Sequence, residues 1–299
     1  MLLRRFANVV NSRTGRITMH TMPIVTVDNE RAIRAIVSAS VQGYASAFAD
    51  RHIAEYDDPE GTINMKIHNI FISVLGPEVR YYSALVRSLD SSMGTTLENM
   101  AISIAKLHYK VEKHVEGILY KGQVEYIADL LEQYKRHARI PKVSDYSPLF
   151  ESHTRSDAIS KRHESDYYLF DKETGLHYLI ELKIGGDVDN KKARGEKEAL
   201  LEQYCILANN LGSANDIRVC FATGYNRYGE GNPWRQERVL QFFAKEELLI
   251  SSDFWNMVCK MPNGYDIVMD EYKKNAPLIV DALAKIKSLY LPDYGRADA

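Results

Sequence analysis

The sequence lacks several features that mark special classes of protein. It has three cysteines in 299 residues and no C-x-x-C pair, which argues against a disulfide framework or a cysteine-based metal site. Its 17 glycines and 9 prolines exclude collagen-like and low-complexity chains. The longest apolar runs, such as residues 217–222, fall well short of the roughly 20 residues that a bilayer span requires. The sequence therefore predicts a soluble globular protein with buried free thiols at Cys205, Cys220 and Cys259.

The first residues also lack the pattern of a secretory signal. Arg4 and Arg5 are not followed by the apolar run of about 7 to 15 residues that such a signal contains. We therefore expect the protein in the cytoplasm and expect no membrane partner.

The chain has no excess of either charge. Lys and Arg number 38 against 40 Asp and Glu, so the formal net charge of −2 gives no indication of nucleic-acid binding. Contacts to phosphate are local, however, and residues 134–163 contain seven Lys and Arg against three Asp and Glu. This local excess indicates either a surface that contacts DNA or a solvated basic face.

Apolar residues recur at helical spacing through the first half of the chain. The pattern predicts helices at 30–48, 77–89 and 123–137. Residues 91–94 interrupt it, and a new helix is predicted to start at Thr95 or Thr96. Glu98 would then lie near a helix start, where the helix dipole favours a carboxylate.

The pattern changes to strands after residue 147. Two runs rich in β-branched and aromatic residues, 166–171 and 177–183, flank a turn at 172–175 and predict a hairpin. The elements predicted to follow are a helix at 189–211 that stops at Gly212, a strand at 216–222 and helices in the last part of the chain.

This order of elements predicts an α/β fold, in which helices flank a mixed β-sheet and helical additions extend it at both ends. We expect one domain over residues 1–299. Its predicted parts are a helical N-terminal part at 1–90, a core that carries the chemistry at 91–225 and a C-terminal helical part at 226–299.

Three charged residues of the hairpin are predicted to converge. If residues 172–175 form the turn, Asp166 lies opposite Glu181, and the alternation of the strand puts Lys183 on the same face. Two adjacent carboxylates repel unless a divalent cation lies between them, and oxygen ligands favour Mg²⁺. Lys183 would then assist a water molecule and offset charge on a phosphate, which indicates phosphodiester hydrolysis. A trio of this kind also occurs as ordinary surface decoration, and the spacing alone leaves both interpretations open.

The same residues resemble a known signature. Ser165-Asp166 followed by Glu181-Leu182-Lys183 resembles the PD-(D/E)XK nuclease motif, with Ser165 where proline often stands. The segment from Ser91 to Glu98 resembles the S-x-G-x-x-x-E start of a core helix in many restriction endonucleases. The segments 180–194, 225–229 and 254–255 are similar to type II restriction endonucleases of the TdeIII/MjaII kind.

The resemblance implies a restriction-endonuclease-like core and Mg²⁺-dependent cleavage of double-stranded DNA at a short palindrome, for which a GGNCC-type site is expected. It also implies a homodimer whose two-fold axis matches that of the site, and a functional pairing with a DNA methyltransferase. Asp166 and Glu181 would hold the metal, Lys183 would assist the water, and Glu98 would help as a further catalytic residue.

Other residues are candidates for DNA contacts. Lys191, Lys192 and Arg194 follow the catalytic strand and would face the phosphate backbone, although an exposed basic turn explains them nearly as well. Base edges are read by planar or bidentate donors. The candidates of this type are Arg155, Asn226, Arg227 and Arg235.

Three other functions fit part of the pattern. They are a repair or structure-specific nuclease of the same superfamily, a non-catalytic DNA-binding protein that keeps the fold, and a small-molecule hydrolase. The intact D…E-x-K trio argues against the non-catalytic alternative.

Overall fold

The computed structural model describes residues 9–10, 17–18, 27–151, 157–186 and 188–292. The helices are α1 Val27–Ala54, α2 Ile70–Ser73, α3 Pro77–Ala105, α4 Lys121–Lys135, α5 Asn190–Leu211, α6 Glu237–Leu240, α7 Ser252–Cys259 and α8 Gly264–Tyr290. The strands are β1 Val9–Val10, β2 Ile17–Thr18, β3 Lys110–Tyr120, β4 Ala158–Phe170, β5 His177–Leu182, β6 Ile217–Thr223 and β7 Leu248–Ile250. Short 3₁₀ turns occupy Asn64–His68, Val143–Phe150 and Lys245–Glu247.

Five strands form one mixed sheet in the order β3-β4-β5-β6-β7. β3 and β4 pair antiparallel, as do β4 and β5. β6 is parallel to β5 and to β7. α5 supplies the crossover between β5 and β6, because parallel neighbours cannot be joined by a tight turn. The α/β class and the mixed sheet flanked by helices are confirmed.

Alternation along the strands divides the core into two layers. On one face, Tyr167, Ile180 and Cys220 pack with residues of α1, α3, α7 and α8. On the other face, Leu179 and Phe221 pack with residues of α4 and α5. α1 also packs against α8, so helices from the two ends of the chain cover the same face.

The predicted break in α3 is wrong. α3 is continuous from Pro77 to Ala105, and its residues 91–94 are helical. The hydroxyls of Ser92 and Thr96 donate to carbonyls four residues earlier, at 2.7 and 2.9 Å, and therefore cap no new helix. Gly94 costs a long helix only about 1 kcal/mol, which its tertiary packing outweighs. Glu98 consequently lies deep in the helix, and its placement near a helix start is also wrong.

The other predicted helices agree with the structure within a few residues, except that α1 is longer at both ends. The start and stop of α5 follow the sequence signals: Asp189 accepts a hydrogen bond from the Lys192 N–H at 2.8 Å, and Gly212 ends the helix with a φ of 70°. The three cysteines are buried and free, as predicted. In the described part of the chain, no helix has the length and apolarity to cross a membrane.

Candidate functional site

The β4–β5 hairpin has the register that its sequence predicts. Tyr167 pairs with Ile180, and the later pairs keep the same register. Continued by one residue, this register makes Asp166 the position opposite Glu181. The side chain of Asp166 lies outside the described residues, so its approach to Glu181 stays a prediction.

Three charged side chains, Glu181, Lys183 and Glu196, form what we call the Lys183 cluster at the carboxyl end of β5. The Lys183 ammonium contacts a carboxylate oxygen of Glu181 and lies 3.2 Å from Oε1 of Glu196 on α5. The Glu181 side chain is 11% exposed and that of Lys183 is 33% exposed, so the cluster is shielded on one side and open to solvent on the other. Because it contains two carboxylates and one ammonium, the Lys183 cluster carries a net negative charge.

Glu181 and Glu196 change the acid–base behaviour of Lys183. Burial lowers the Lys183 pKa, but hydrogen bonds and charge interactions with the two carboxylates outweigh that effect and raise the pKa above its ordinary value. Lys183 is therefore a fixed positive charge at neutral pH rather than a proton acceptor.

Glu196 was not among the candidates from the sequence. The signal that could have found it is the crossover connection: a helix that leaves the carboxyl end of a strand lays its first turns over that end. Glu196 lies in the second turn of α5 and so faces the last residues of β5. Its contact with Lys183 depends on tertiary packing that residue spacing along one strand does not show.

A tight turn after β5 fixes Lys183 against the loop that follows β6. The Gly186 N–H donates to the Lys183 carbonyl at 2.9 Å. Gly186 has a φ of 62°, and a Cβ there would lie 2.3 Å from the Trp234 side chain, so only glycine fits. The candidates for base contact in residues 224–235, which we call the 224–235 loop, are therefore held at the same edge of the sheet as the Lys183 cluster.

Arg235 is the best placed of these candidates. It is exposed, and its guanidinium lies 4.9 Å from the centre of the Tyr228 ring. Tyr228 in turn meets Trp234 edge to face at 5.6 Å. The stacking holds a planar donor group at the protein surface. Arg227 is exposed in the same loop.

Asn226 has a different role in the structure. Its amide donates to the Asn232 carbonyl at 2.7 Å and accepts from the Tyr228 N–H at 3.0 Å. The residue is only 9% exposed. The side chain thus stabilises its own loop, and a base contact would require these bonds to break.

The basic residues at the start of α5 lie close to the cluster along the chain. Lys191 and Lys192 are exposed in its first turn. Arg194 is half-buried and lies 3.3 Å from a carboxylate oxygen of Glu132 on α4. The two lysines are therefore better placed for phosphate contacts than Arg194.

Acidic neighbours balance much of the basic segment 134–163. Arg139 lies 3.0 Å from Asp145, Lys161 lies 2.5 Å from Glu202, and Arg162 lies 3.7 Å from Glu116. These pairs favour a solvated face over a DNA-contacting surface for those residues. Arg155 lies outside the described residues.

The backbone of Glu98 lies against β4. Its backbone carbonyl accepts a hydrogen bond from the Tyr167 hydroxyl at 2.6 Å. Tyr167 packs on the face of the sheet opposite Leu179, and Glu181 shares the face of Leu179. α3 thus supports β4 one residue from Asp166, and a catalytic role for the Glu98 carboxylate stays a prediction.

The predicted metal site is described only in part, because the side chain of Asp166 lies outside the described residues. Among the described side chains, which do not include that of Asp166, no group of three or more His, Cys, Asp or Glu is placed to hold a metal ion. A cavity of about 1170 Å³ lies between α1 and α3, but none of the predicted site residues lines it.

Comparison with known protein families gives a match. A family model described as a type II restriction endonuclease, HinfI, matches residues 29–276, which is most of the chain. The comparison with curated proteins and the comparison with solved structures gave no match.

Proposed function

The chain belongs to the HinfI family of type II restriction endonucleases, and from this premise we propose that it uses the Lys183 cluster and Asp166 to cleave a short palindromic DNA site in the presence of Mg²⁺. The family consists of site-specific hydrolases that act on double-stranded DNA. The observation that carries the proposal is the contact between Glu181 and Lys183 at the open end of β5.

The donor set at this end of the sheet fits a hard divalent cation. Glu181 and Glu196 are carboxylates, and together with Lys183 they leave a net negative charge that attracts a cation. The register of the β4–β5 hairpin, continued by one residue, would put Asp166 opposite Glu181. We propose that Asp166 and Glu181 hold Mg²⁺. A bound Mg²⁺ supplies a Lewis acid for phosphate oxygens.

The residues of the chain supply the remaining functions. The Lys183 ammonium offsets negative charge that develops on the phosphate and orients the attacking water. Glu196 holds Lys183 in position. Glu98 helps as a further catalytic residue, and its helix α3 is tied to β4 by the hydrogen bond from the Tyr167 hydroxyl to the Glu98 carbonyl.

Contacts to DNA divide between backbone and bases. Lys191, Lys192 and Arg194 contact phosphates, since they follow the catalytic strand. Arg227 and Arg235 reach base edges from the 224–235 loop.

We propose further properties by analogy with the family. The recognition site is a short palindrome, for which the GGNCC type is the starting hypothesis, and the enzyme acts as a homodimer. A DNA methyltransferase protects the host DNA in the cytoplasm, where both proteins work.

Digestion of a plasmid of known sequence tests the proposal. With Mg²⁺ we expect discrete fragments whose sequenced ends share one short palindrome, and with a chelator we expect intact plasmid. Lys183→Ala is the matched control and should bind the plasmid without cutting it. Cleavage only at branched or damaged DNA would favour a structure-specific nuclease, and binding without cleavage by the unaltered chain would contradict the proposal.

A further inference from the structure

The cavity between α1 and α3 is a second candidate for a binding site, and we call it the α1–α3 cleft. Residues of α1, of α3 and of the segment 62–69 line it. None of them belongs to the Lys183 cluster or to the 224–235 loop, so the proposed cleavage of DNA does not use the cleft. Its volume of about 1170 Å³ is slightly above the roughly 300–1,000 Å³ of typical ligand pockets, which leaves room for a molecule of nucleotide size.

Three basic side chains lie at one end of the α1–α3 cleft. They are Arg51 of α1, Lys66 of the 3₁₀ turn and Arg87 of α3, and the described lining of the cleft contains no Asp or Glu. The Asn64 amide donates to the Glu55 carbonyl at 3.1 Å, which holds the turn with Lys66 at the end of α1 that carries Arg51. This end of the cleft therefore attracts an anion.

The contacts of Arg51 prepare it for a phosphate group. Its Nη2 donates to the Ser88 hydroxyl at 2.6 Å and lies 3.2 Å from Nε2 of His52. The guanidinium also lies 5.4 Å from the centre of the Phe48 ring. Both hydrogen bonds use Nη2, and no described residue accepts from Nη1 or Nε, so these atoms are free to donate to a phosphate. Ser88 follows Arg87 on α3, so the same contact brings the second arginine to this end of the cleft.

Acidic residues near Arg51 in the chain bond other groups. Asp50 accepts from the Ser46 hydroxyl at 3.2 Å, and Glu55 accepts from the Thr62 N–H at 2.9 Å. Neither carboxylate lines the cleft. Within the described lining, the three basic side chains therefore have no carboxylate to neutralise them.

Uncharged polar side chains line much of the rest of the cleft, and we call this part the hydroxyl tract. It contains Ser40, Ser91, Thr95, Thr96, Asn99 and Ser103. The hydroxyls of Ser40, Thr95 and Thr96 donate to the carbonyls four residues earlier, at 2.8, 3.3 and 2.9 Å. Their oxygens therefore remain as acceptors for the hydroxyl and amino groups of a ligand.

We infer that the α1–α3 cleft binds an organic phosphate of nucleotide size, with its phosphate groups at the three basic side chains and its sugar and base along the hydroxyl tract. The division of the lining favours such a ligand over a strand of DNA. A strand carries a negative charge about every 3.4 Å and would bring phosphates against the hydroxyl tract, which offers acceptors rather than cations. A nucleotide has all its negative charge at one end, where the basic side chains are.

Isothermal titration calorimetry of the full-length chain without Mg²⁺ tests the inference, with ATP and inorganic tripolyphosphate as the probes. We expect each probe to bind at one site per chain, because the three basic side chains recognise the phosphate groups that both contain. ATP should bind about 10-fold more tightly, since only its sugar and base reach the hydroxyl tract. Arg87→Glu should weaken the binding of both probes at least about 10-fold. Arg87 is exposed, so we expect this variant to fold, which circular dichroism checks.

Gly43→Leu separates the two parts of the cleft. Gly43 lines the cleft about 12 Å along α1 from Arg51, and a Cβ there would meet no described atom within 4 Å. Leucine also favours a helix more than glycine does, so the fold is retained. This substitution should weaken ATP binding about 10-fold, to the affinity of tripolyphosphate, and leave tripolyphosphate binding unchanged.

Arg31→Glu is the matched control, since Arg31 is an exposed arginine of α1 that does not line the cleft. It should leave both affinities unchanged. Failure of both probes to bind, or equal affinities for Arg87→Glu and Arg31→Glu, would overturn the inference. So would tighter binding of a DNA single strand of about 10 nucleotides without terminal phosphates, if Gly43→Leu abolishes it, because the cleft would then be a nucleic-acid surface.

Discussion

The molecule contains two lysine–carboxylate clusters whose residue types are alike and whose surroundings differ. In the Lys183 cluster, the lysine is 33% exposed at the open end of β5. In the second, which we call the Lys197 cluster, the Lys197 ammonium lies 2.6 and 2.7 Å from the two carboxylate oxygens of Glu247, and neither side chain is more than 2% exposed. Tyr146 donates to the same carboxylate at 2.5 Å.

The two lysines respond to their sites in opposite directions. Burial lowers the pKa of Lys197 despite the attraction of Glu247, whereas the two carboxylates raise the pKa of Lys183. The rings of Phe243 and Tyr146 lie 4.5 and 5.0 Å from the Lys197 ammonium and close the site to solvent. A buried, saturated ion pair fixes the packing of α5, while a pair that is open on one side can exchange partners with a ligand.

Substitution of Lys183 is expected to have the largest effect. Lys183→Ala should lower the single-turnover cleavage rate at least about 1000-fold, because it removes a charge that acts on the transition state. The free energy of unfolding should change by less than about 1 kcal/mol, since the pair is partly exposed. Cleavage assays and urea unfolding measure the two quantities. If Lys183→Ala still cuts DNA at the normal rate, the Lys183 cluster is not catalytic and does not differ in function from the Lys197 cluster.

Lys197→Met should show the opposite pattern. It leaves Glu247 buried without a counter-charge and should lower the free energy of unfolding by about 3–5 kcal/mol. The fraction that remains folded should cleave DNA at the normal rate. As a control, Lys197→Met combined with Glu247→Gln removes both charges and should recover part of the stability. A stable, inactive Lys197→Met variant would contradict a purely structural role.

The substitution Glu196→Gln tests whether Lys183 needs the Glu196 carboxylate, in addition to that of Glu181, to be held in position. We expect the single-turnover rate to fall about 10-fold, because a misplaced charge loses much of its effect on the transition state. Glu196→Asp keeps the charge and should recover part of the rate, which loss of a merely structural contact would not predict. Equal rates for both variants and the unaltered enzyme would show that Glu181 alone positions Lys183.

Lys192→Ala should have the smallest effect. If Lys192 contacts a phosphate, the slope of log affinity against log salt concentration should fall in magnitude by about 1, with the recognition sequence unchanged. DNA-binding titrations at several salt concentrations measure the slope. Lys273→Ala, an exposed lysine on α8, is the matched control and should leave it unchanged. Identical slopes for both variants would exclude a phosphate contact at Lys192.

The sequence predicts the hairpin and α5 well because their signals are local. The turn at 172–175 sets the register of β4 and β5, and Asp189 and Gly212 mark the ends of α5. These residues decide the conformation of their immediate neighbours. The shared face of Glu181 and Lys183 follows from strand alternation alone.

The sequence does not predict β3, because this strand has the composition of a surface segment. It contains Lys110, Glu112 and Lys113, and it lies at the edge of the sheet, where charged residues prevent pairing with other chains. β7 has three residues and pairs only at the opposite edge. Both strands depend on partners distant in sequence, so the C-terminal part is less uniformly helical than predicted.

The unbroken α3 has a mechanical consequence. Its 29 residues span about 44 Å, with the exposed residues Val79 and Val86 near one end and the hydrogen bond from Tyr167 to Glu98 toward the other. A continuous helix that is held at two places transmits a movement of one end to the other. A tilt of a few degrees at the first end would displace the backbone beside Asp166 by an ångström or more, which makes the alignment of the proposed catalytic residues sensitive to what packs against the start of α3.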